Sequence, residues 1–315
     1  MKHLKSRGRV NAALFPALSA AVAAASLVLS CAAPIKIDAS ADPLAILEPG
    51  SLAYVRLSGE AARELAPALL PASQAGSMKS LLERTRVVAL GLGSALPRSE
   101  EMMLERKPPA PTATALQAVL IGDYPFRAAS LSLGSNPDWK KEKPAYYNAK
   151  LGLYVAVPGP QIVLASTRPI QSLLVAAKLP GPSPIPARLT ELASRELVLW
   201  APEPFSGLAA VLLGEAMDIP VRGLLIAASP IAGEKGRYEA TVAFMMDDAK
   251  TLRTFRPVLK LAWYGMASIL FGDDADAALA LPVQTEGELF VVSKVPLSRD
   301  ALARVLGLLR AGPRS

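Results

Sequence analysis

The residue whose setting most clearly predicts chemistry is Cys31, the only cysteine in the 315-residue chain. It follows an apolar stretch from Val10 to Leu29, which is preceded by a start that carries four basic residues and no acid: Lys2, Lys5, Arg7 and Arg9. This order is typical of a secretory signal peptide. Val28-Leu29-Ser30-Cys31 has the form of a lipobox, at which bacteria acylate a cysteine thiol and cleave just before it, although Leu29 is bulkier than usual. We therefore predict a signal peptide over residues 1–30 and a lipid on Cys31.

An uncleaved membrane anchor is the alternative, because the same apolar stretch is nearly long enough to span a bilayer. The cysteine at the predicted cleavage point favours lipidation. A lipoprotein carries a diacylglyceryl group and often a further amide-linked chain, and two or more acyl chains anchor a protein stably to a membrane.

Loss of the signal peptide would leave a chain with few groups suited to catalysis. His3 is the only histidine and would leave with the signal, while the Cys31 thiol would be used by the lipid. Ser-His-Asp and Cys-His nucleophile systems, Cys/His zinc sites and disulfides are then excluded. Walker A, G-x-S-x-G and dinucleotide-binding glycine motifs are also lacking. We predict a protein that is not an enzyme and has no cofactor, no catalytic residue and no bound metal.

Carboxylates are the groups that remain for acid–base chemistry or for binding a hard cation. They cluster at three places: Glu100-Glu101, Asp247-Asp248, and Asp273-Asp274 with Asp276. The third cluster lacks the glycine and terminal glutamate of a calcium-binding loop, and acidic runs at helix ends are usually solvated. The spacing singles out none of them as a site.

The overall charge argues against a nucleic-acid partner. The formal net charge is +7 from 34 Lys+Arg and 27 Asp+Glu, and it falls to +3 once the four basic residues of the signal are removed. Proteins that bind nucleic acid usually present a strongly basic, clustered surface. We predict no nucleic-acid binding.

The order of elements mixes helices with strands and predicts an α+β fold, in which a mixed but mostly antiparallel sheet is covered by amphipathic helices. Residues 31–50 form a proline-rich tether, and residues 51–315 form one domain whose two lobes have a joint near 180–194. Residues 97–114 form an exposed insertion. Strands are predicted over 52–58, 87–92, 116–121, 151–157, 161–165, 196–201, 221–228, 238–245 and 288–295, and helices over 60–70, 77–85, 169–178, 205–217, 249–271 and 298–310. The second half resembles the first in its order of elements.

The helix Ala249–Phe271 carries the clearest functional pattern. Basic residues recur along one side of it at helical spacing, while apolar and aromatic residues occupy much of the rest, which suits a helix lying at a membrane surface. The simpler interpretation is that its apolar side covers the sheet. The residues predicted to interact with a membrane are Lys250, Arg253, Phe255, Arg256, Leu259, Lys260, Trp263, Tyr264, Ile269, Leu270 and Phe271.

The composition favours the membrane interpretation. The chain is 51% hydrophobic and 19% charged, where about 25% charged is ordinary. The signal explains part of this excess, and the rest predicts an unusually large core, an apolar cavity or a lipid-facing surface. A transmembrane β-barrel does not fit, because it needs regular alternating strands with aromatic girdles, whereas only 5% of residues are aromatic.

Several pieces of the chain resemble, in the same order, a family of treponemal outer-membrane lipoproteins that insert amphipathic helices into membranes. They are Ala39–Leu44, Tyr54–Leu57, Glu83–Thr85, Asp123–Phe126, Trp139 and Tyr146-Tyr147. The resemblance implies an α/β/α fold, anchorage in the periplasmic leaflet of the outer membrane, and closed and open forms around an apolar cavity that takes lipid or glycolipid. It implies no catalytic residues, and its inserting role corresponds here to Ala249–Phe271.

Two functions follow from these patterns, while a third, an enzyme that acts on envelope glycans through paired carboxylates, lacks a pair that the spacing singles out. The first is a non-enzymatic outer-membrane lipoprotein that associates with or inserts into the bilayer, binding lipid or glycolipid or altering permeability. The alternative is a periplasmic solute-binding lipoprotein with a cleft between two lobes. For the first, we expect Trp263 fluorescence to shift blue when the protein meets anionic liposomes.

Overall fold

A computed structural model describes residues 42–69, 79–93, 115–205, 219–271 and 275–304, and describes the side chains within these ranges except at 66–69 and 269–271. Several predicted features therefore lie outside the described residues. They are the signal peptide, Cys31 and most of the tether, the 97–114 insertion, nearly all of the 205–217 helix, residues 305–310, and the carboxylates Glu100, Glu101, Asp273 and Asp274.

Twelve strands in the described part of the chain form one sheet, and every strand pair in it is antiparallel rather than mixed. Short runs rich in Val, Ile and Leu form strands because such side chains pack well on a pleated surface. The first half of the chain contains β1 (Ala53–Ser58), β2 (Thr85–Gly93), β3 (Ala115–Gly122), β4 (Lys140–Glu142), β5 (Ala145–Asn148), β6 (Leu153–Gly159) and β7 (Ile162–Ser166). The second contains β8 (Leu197–Pro202), β9 (Val221–Pro230), β10 (Arg237–Met246), β11 (Val283–Glu286) and β12 (Leu289–Ser298).

The α-helices are α1 (Gly59–Leu69), α2 (Phe126–Ser135), α3 (Gln171–Lys178), α4 (Ala249–Phe271) and α5 (Ala275–Leu279), and residues 79–84 and 299–304 are also helical. Short 3-10 turns occur at Pro43–Ile46, Ala187–Leu189 and Leu192–Ser194. Pro67 lies in the last turn of α1, where a proline does not interrupt most of the helix. The Ala301 N–H donates to Ser298 Oγ at 3.2 Å, so Ser298 caps the helix that follows β12.

The strand order reveals two halves with the same arrangement. Across the sheet it is β11-β12-β10-β9-β8-β1-β2-β3-β7-β6-β5-β4. From the central pair outwards, β1-β2-β3-β7-β6 on one side corresponds to β8-β9-β10-β12-β11 on the other. At the centre, β1 and β8 pair antiparallel, with Val55 opposite Leu199 and Leu57 opposite Leu197. The two halves are therefore joined by a hydrogen-bonded strand pair within one sheet.

Helices cover both faces of this sheet, so the structure has the predicted α+β architecture with α/β/α layers. On one face, Val55 and Leu57 belong to a core that includes residues of α1, α2, α4, α5, 79–84 and 299–304. On the opposite face, Tyr54 packs in a second core with residues of Pro43–Ile46, α3 and the 185–193 segment. Adjacent residues of β1 enter different cores because side chains alternate along a strand.

Candidate functional site

The site begins where β10 ends and α4 starts. Asp248 caps α4, because its Oδ1 accepts hydrogen bonds at 2.7 Å from the backbone N–H groups of both Lys250 and Thr251. These bonds, that from Thr251 first, hold the pKa of the Asp248 carboxyl below its usual value. Asp247 forms an ion pair with Arg222, with 2.5 Å between Oδ1 and Nε, and Arg222 also lies 3.7 Å from Glu203. Asp248 thus caps α4, and Asp247 links the residue before the helix to β9.

One side of α4 packs on the sheet. Leu252, Leu259, Trp263 and Ala267 are buried in the first core, which also contains residues of β10 and β12. Phe255 and Met266 pack against the same core and are half-buried. Three of the predicted membrane-interacting residues, Phe255, Leu259 and Trp263, therefore lie on the sheet side in this conformation.

The opposite side of α4 exposes a second row of apolar residues. Val258, Leu261 and Tyr264 are all exposed, and Leu261 is 71% exposed. They recur at intervals of three, so successive side chains lie close together on the helix surface. Pro257 and Gly265 lie beside them and are exposed as well. We call Val258, Leu261 and Tyr264 the outer apolar row.

Cations flank the outer apolar row. Lys250, Arg253, Arg256 and Lys260 are exposed, and no acidic residue occurs between Ala249 and Phe271. Among the described residues, none of these four cations forms an ion pair with a carboxylate. Arg253, Arg256 and Lys260 are spaced by three and four residues, which places them along one edge of the row. The outer side of α4 is thus both apolar and cationic.

The sequence identified this helix but not all of its exposed residues. Of the predicted set, Lys250, Arg253, Arg256, Lys260 and Tyr264 are exposed, and the side chains of Ile269, Leu270 and Phe271 lie outside the described residues. Val258 and Leu261 were missed. Their spacing of three residues from one another and from Tyr264 could have revealed them, because that spacing places a second apolar row on the side opposite Leu259 and Trp263.

Two tyrosine hydroxyls elsewhere in the described residues form hydrogen bonds with neighbouring side chains. The Tyr238 hydroxyl donates to Glu64, and burial first and then this carboxylate raise the pKa of Tyr238 well above its usual value. The hydroxyls of Tyr124 and Thr85 lie 2.9 Å apart, and burial raises the pKa of Tyr124. Both tyrosines therefore stay neutral at physiological pH.

A small cleft of about 280 Å³ lies at the β1–β8 junction. Its lining residues are Arg56, Ser58, Val87, Ser194, Arg195 and Glu196. The Arg56 guanidinium is already occupied there, because it donates to the carbonyl oxygens of Ala193 and Arg195.

Among the residues that the structure describes, no three His, Cys, Asp or Glu side chains are close enough to hold a metal ion. Within the same residues, no helix has the length and apolarity needed to cross a membrane.

Comparisons with known proteins identify the fold. No protein-family model matches the chain, and no curated protein matches it. Crystal form I of TP0453, a treponemal protein, is similar over 87% of this chain and 100% of its own, with a TM-score of 0.60 and 16% identity. Crystal form III of TP0453 covers 85% of this chain and 99% of its own, with a TM-score of 0.58 and 15% identity. The chain therefore shares the fold of TP0453.

Proposed function

We propose that this chain is a non-enzymatic lipoprotein, anchored through Cys31 in the periplasmic leaflet of the outer membrane, that contacts the bilayer through the outer side of α4. The observation that carries the proposal is the exposed row of Val258, Leu261 and Tyr264 beside four exposed cations, none of which forms a close ion pair with a carboxylate among the described residues. The fold shared with TP0453 and the lipobox at Cys31 support it. Membrane lipid is the partner.

Two kinds of residue on α4 would contribute to membrane binding in different ways. Lys and Arg side chains meet anionic headgroups, while an aliphatic row and a tyrosine enter the boundary between headgroups and acyl chains. Each cation near an anionic surface contributes about 1 kcal/mol. Apolar area removed from water contributes about 25 cal/mol per Å². The outer apolar row is small, so binding depends on both contributions and on the lipid anchor.

Deeper insertion requires α4 to leave the sheet. Leu259 and Trp263 have no exposed surface in this conformation. If α4 left the sheet, the part of the first core that it covers would be exposed. A lipid or glycolipid would bind to that uncovered part of the core. Opening occurs only if the open form binds the membrane more tightly than the closed form by at least the free energy that opening costs. Surface contact through the outer row precedes it.

The alternative, a two-lobe solute-binding lipoprotein, receives less support. A cleft that closes on a solute needs lobes that move about a hinge. Here the two halves are joined through the β1–β8 pairing in a single sheet. The cleft at that junction is small, and the Arg56 side chain that lines it already donates a hydrogen bond to the Arg195 carbonyl.

The test uses the lipidated protein with Leu261→Cys. Acylation consumes the Cys31 thiol, so the new cysteine is the only free thiol and takes an environment-sensitive fluorophore. We expect its emission to shift blue in vesicles containing anionic lipid and to shift little in phosphatidylcholine vesicles. Lys235→Cys, on the exposed β9–β10 turn, is the matched control and stays in water. An unchanged spectrum at position 261 in anionic vesicles would refute membrane contact by α4.

The anchor is tested separately by mass spectrometry of the protein extracted from its own membrane. The proposal requires an acylated Cys31 at the N-terminus of the mature chain. Native mass spectra of the same sample report whether a lipid or glycolipid is bound in addition. A mature chain with an unmodified thiol would exclude the anchor, whatever the fluorophore reports.

A further inference from the structure

Two residues that weaken helices interrupt α4. The helix has 23 residues, and among them are one proline and one glycine, Pro257 and Gly265. A proline in a helix interior lacks the N–H that would bond to the carbonyl four residues earlier, here that of Arg253, and its ring crowds the same carbonyl. Glycine also lowers helix stability, because it loses more conformational freedom on folding than any other residue. We therefore expect α4 to bend most easily at these two positions.

Packing in the closed domain gives no reason for either residue. Gly265 is exposed, and among the described residues no heavy atom outside its own stretch of helix lies within 4 Å of the point where a Cβ would stand. An alanine would fit there and would favour the helix. Pro257 is exposed as well, so its ring fills no space in the first core.

The two weak points enclose the outer apolar row. The whole row lies between Pro257 and Gly265, whereas three of the four cations of α4 precede Pro257 and only Lys260 follows it. We call residues 249–256 the first segment of α4 and residues 257–271 its second segment. The first segment thus carries most of the positive charge, and the second carries all of the outer apolar row.

The first segment is fastened to the sheet at its start. Asp248 caps it, and Asp247 forms a bidentate ion pair with Arg222 of β9, with 2.5 Å between Oδ1 and Nε and 3.1 Å between Oδ2 and Nη2. Leu252 is buried in the first core and Phe255 packs against it. All of these contacts come before the proline, so they do not depend on the position of the second segment.

The second segment packs on the sheet through Leu259, Trp263 and Ala267, which are buried in the first core. If the helix opened at the proline, these three side chains would leave the core, while Leu252 and Phe255 would stay in place. Less apolar surface would then be uncovered than if all of α4 left the sheet. Since the free energy of opening rises with the apolar area that loses its cover, opening at the proline costs less.

We propose that Pro257 is a hinge, at which the second segment of α4 swings off the sheet into the bilayer while the first segment stays docked. Hinges in proteins are a few residues that absorb the change in backbone angles. The cations of the first segment remain at the domain surface beside the headgroups, and the outer apolar row moves into the boundary with the acyl chains. This inference rests on the membrane contact proposed for α4 and specifies how that contact develops.

The test measures distances in the lipidated protein by double electron–electron resonance between nitroxide labels. One pair joins the first segment to the β9–β10 turn, at Thr254→Cys and Lys235→Cys. The other joins the second segment to the same turn, at Ser268→Cys and Lys235→Cys. All three positions are exposed. We expect vesicles containing anionic lipid to increase the 268–235 distance and to leave the 254–235 distance unchanged. Circular dichroism of each labelled protein confirms that it is folded.

A variant without the weak points provides the second arm of the test. Pro257→Ala/Gly265→Ala restores the missing N–H and stiffens the helix, and both positions are exposed, so the core is undisturbed. We expect its 268–235 distance to stay unchanged in anionic vesicles, while a fluorophore at Leu261→Cys still reports surface contact. Thr254→Ala is the matched control, because it also favours the helix but keeps both weak points. Its 268–235 distance should increase as in the parent protein.

The outcomes that contradict the hinge are distinct from those that contradict the proposed function. If both distances increase together, α4 leaves the sheet as one rigid unit and the hinge is wrong. If the double variant opens as fully as the parent, the hinge is also wrong. If neither distance changes while the fluorophore at Leu261→Cys shifts blue, α4 binds the surface without opening, so the hinge is refuted and the proposed membrane contact stands. If position 261 does not respond to anionic vesicles, the proposed function is lost and the hinge with it.

Discussion

Leu259 and Leu261 lie two residues apart on α4 and face opposite environments: Leu259 is fully buried against the sheet, and Leu261 is 71% exposed. The helix therefore has apolar residues on both sides, and only one side is used by the core. Leu259 therefore contributes to the stability of the closed domain, whereas Leu261 is available for contact with lipid. The two contributions can be tested independently.

Substitution at these two positions should have opposite consequences. Leu259→Ala should lower the free energy of unfolding by about 2–5 kcal/mol, because it leaves a cavity in the first core. Leu261→Gln should change it by no more than about 0.5 kcal/mol, because the side chain is at the surface, yet it should weaken binding to anionic vesicles. Urea unfolding measures the first effect and vesicle flotation the second. Equal loss of stability in the two variants would contradict the orientation of α4.

The cations of α4 should act through electrostatics alone. Arg253→Gln and Lys260→Gln should each weaken binding to anionic vesicles about fivefold, from about 1 kcal/mol per charge, and the double variant, which keeps Lys250 and Arg256, should lose about half of the salt dependence. Lys235→Gln removes the same charge from the β9–β10 turn and should have little effect. Flotation at low and high salt measures all four proteins. An effect of Lys235→Gln as large as that of Lys260→Gln would point to net charge rather than to the α4 surface.

The cap of α4 should make the start of the helix sensitive to acid. Hydrogen bonds from Thr251 and Lys250 lower the pKa of Asp248 in the folded protein below the ordinary 3.8. Their stabilising effect is thus present in full above the ordinary value and is lost as the pH falls through the lowered one. We expect amide hydrogen exchange at residues 250–252 to accelerate, relative to the intrinsic rate, in that acidic range.

Asp248→Asn is the matched control for the cap, because asparagine caps helices well but does not titrate. Its helix start should remain protected without the acid-dependent loss, whereas Asp248→Ala should be less protected at every pH. If all three proteins showed the same pH dependence, another group would control this end of α4.

The sequence predicted the elements that carry a long or strong pattern. Ala249–Phe271 was predicted with the bounds that the structure gives, because a 23-residue helix has many turns in which its period repeats. The mixture of helices and strands followed from the helical periods and the Val/Ile/Leu-rich runs, whereas the α/β/α layers were implied by the resemblance to a known family. The antiparallel pairing throughout could not be derived, because pairing partners are distant in the sequence.

Short and weakly marked elements were missed for physical reasons. The strands β4 and β5 have three and four residues, too few for an alternating pattern to be recognised. The helix α2 contains Ser and Gly, which are poor helix formers, and Pro125 at its start makes no side-chain capping bond. Neither could the sequence decide which side of α4 faces the core. Leu259 with Trp263 and Leu261 with Tyr264 both fit a helical spacing, and only packing on β10 and β12 distinguishes them.

Trp263 provides the last prediction, because its burial changes what its fluorescence can report. All three tryptophans, Trp139, Trp200 and Trp263, are buried in the closed domain. The blue shift expected from the sequence is therefore uninformative, since a tryptophan that is already in an apolar core emits as one in lipid does. Quenching by brominated acyl chains is informative, because it requires contact between the indole and the lipid.

The experiment uses Trp139→Phe/Trp200→Phe, which leaves Trp263 as the only tryptophan. We expect brominated phosphatidylcholine vesicles to leave its emission unchanged and vesicles with added anionic lipid to quench it, as α4 leaves the sheet and enters the bilayer. A fluorophore at Leu261→Cys in the same vesicles reports surface contact independently. A shift at position 261 without quenching of Trp263 would mean that α4 binds the surface while the domain stays closed, and would exclude insertion as its mode of action.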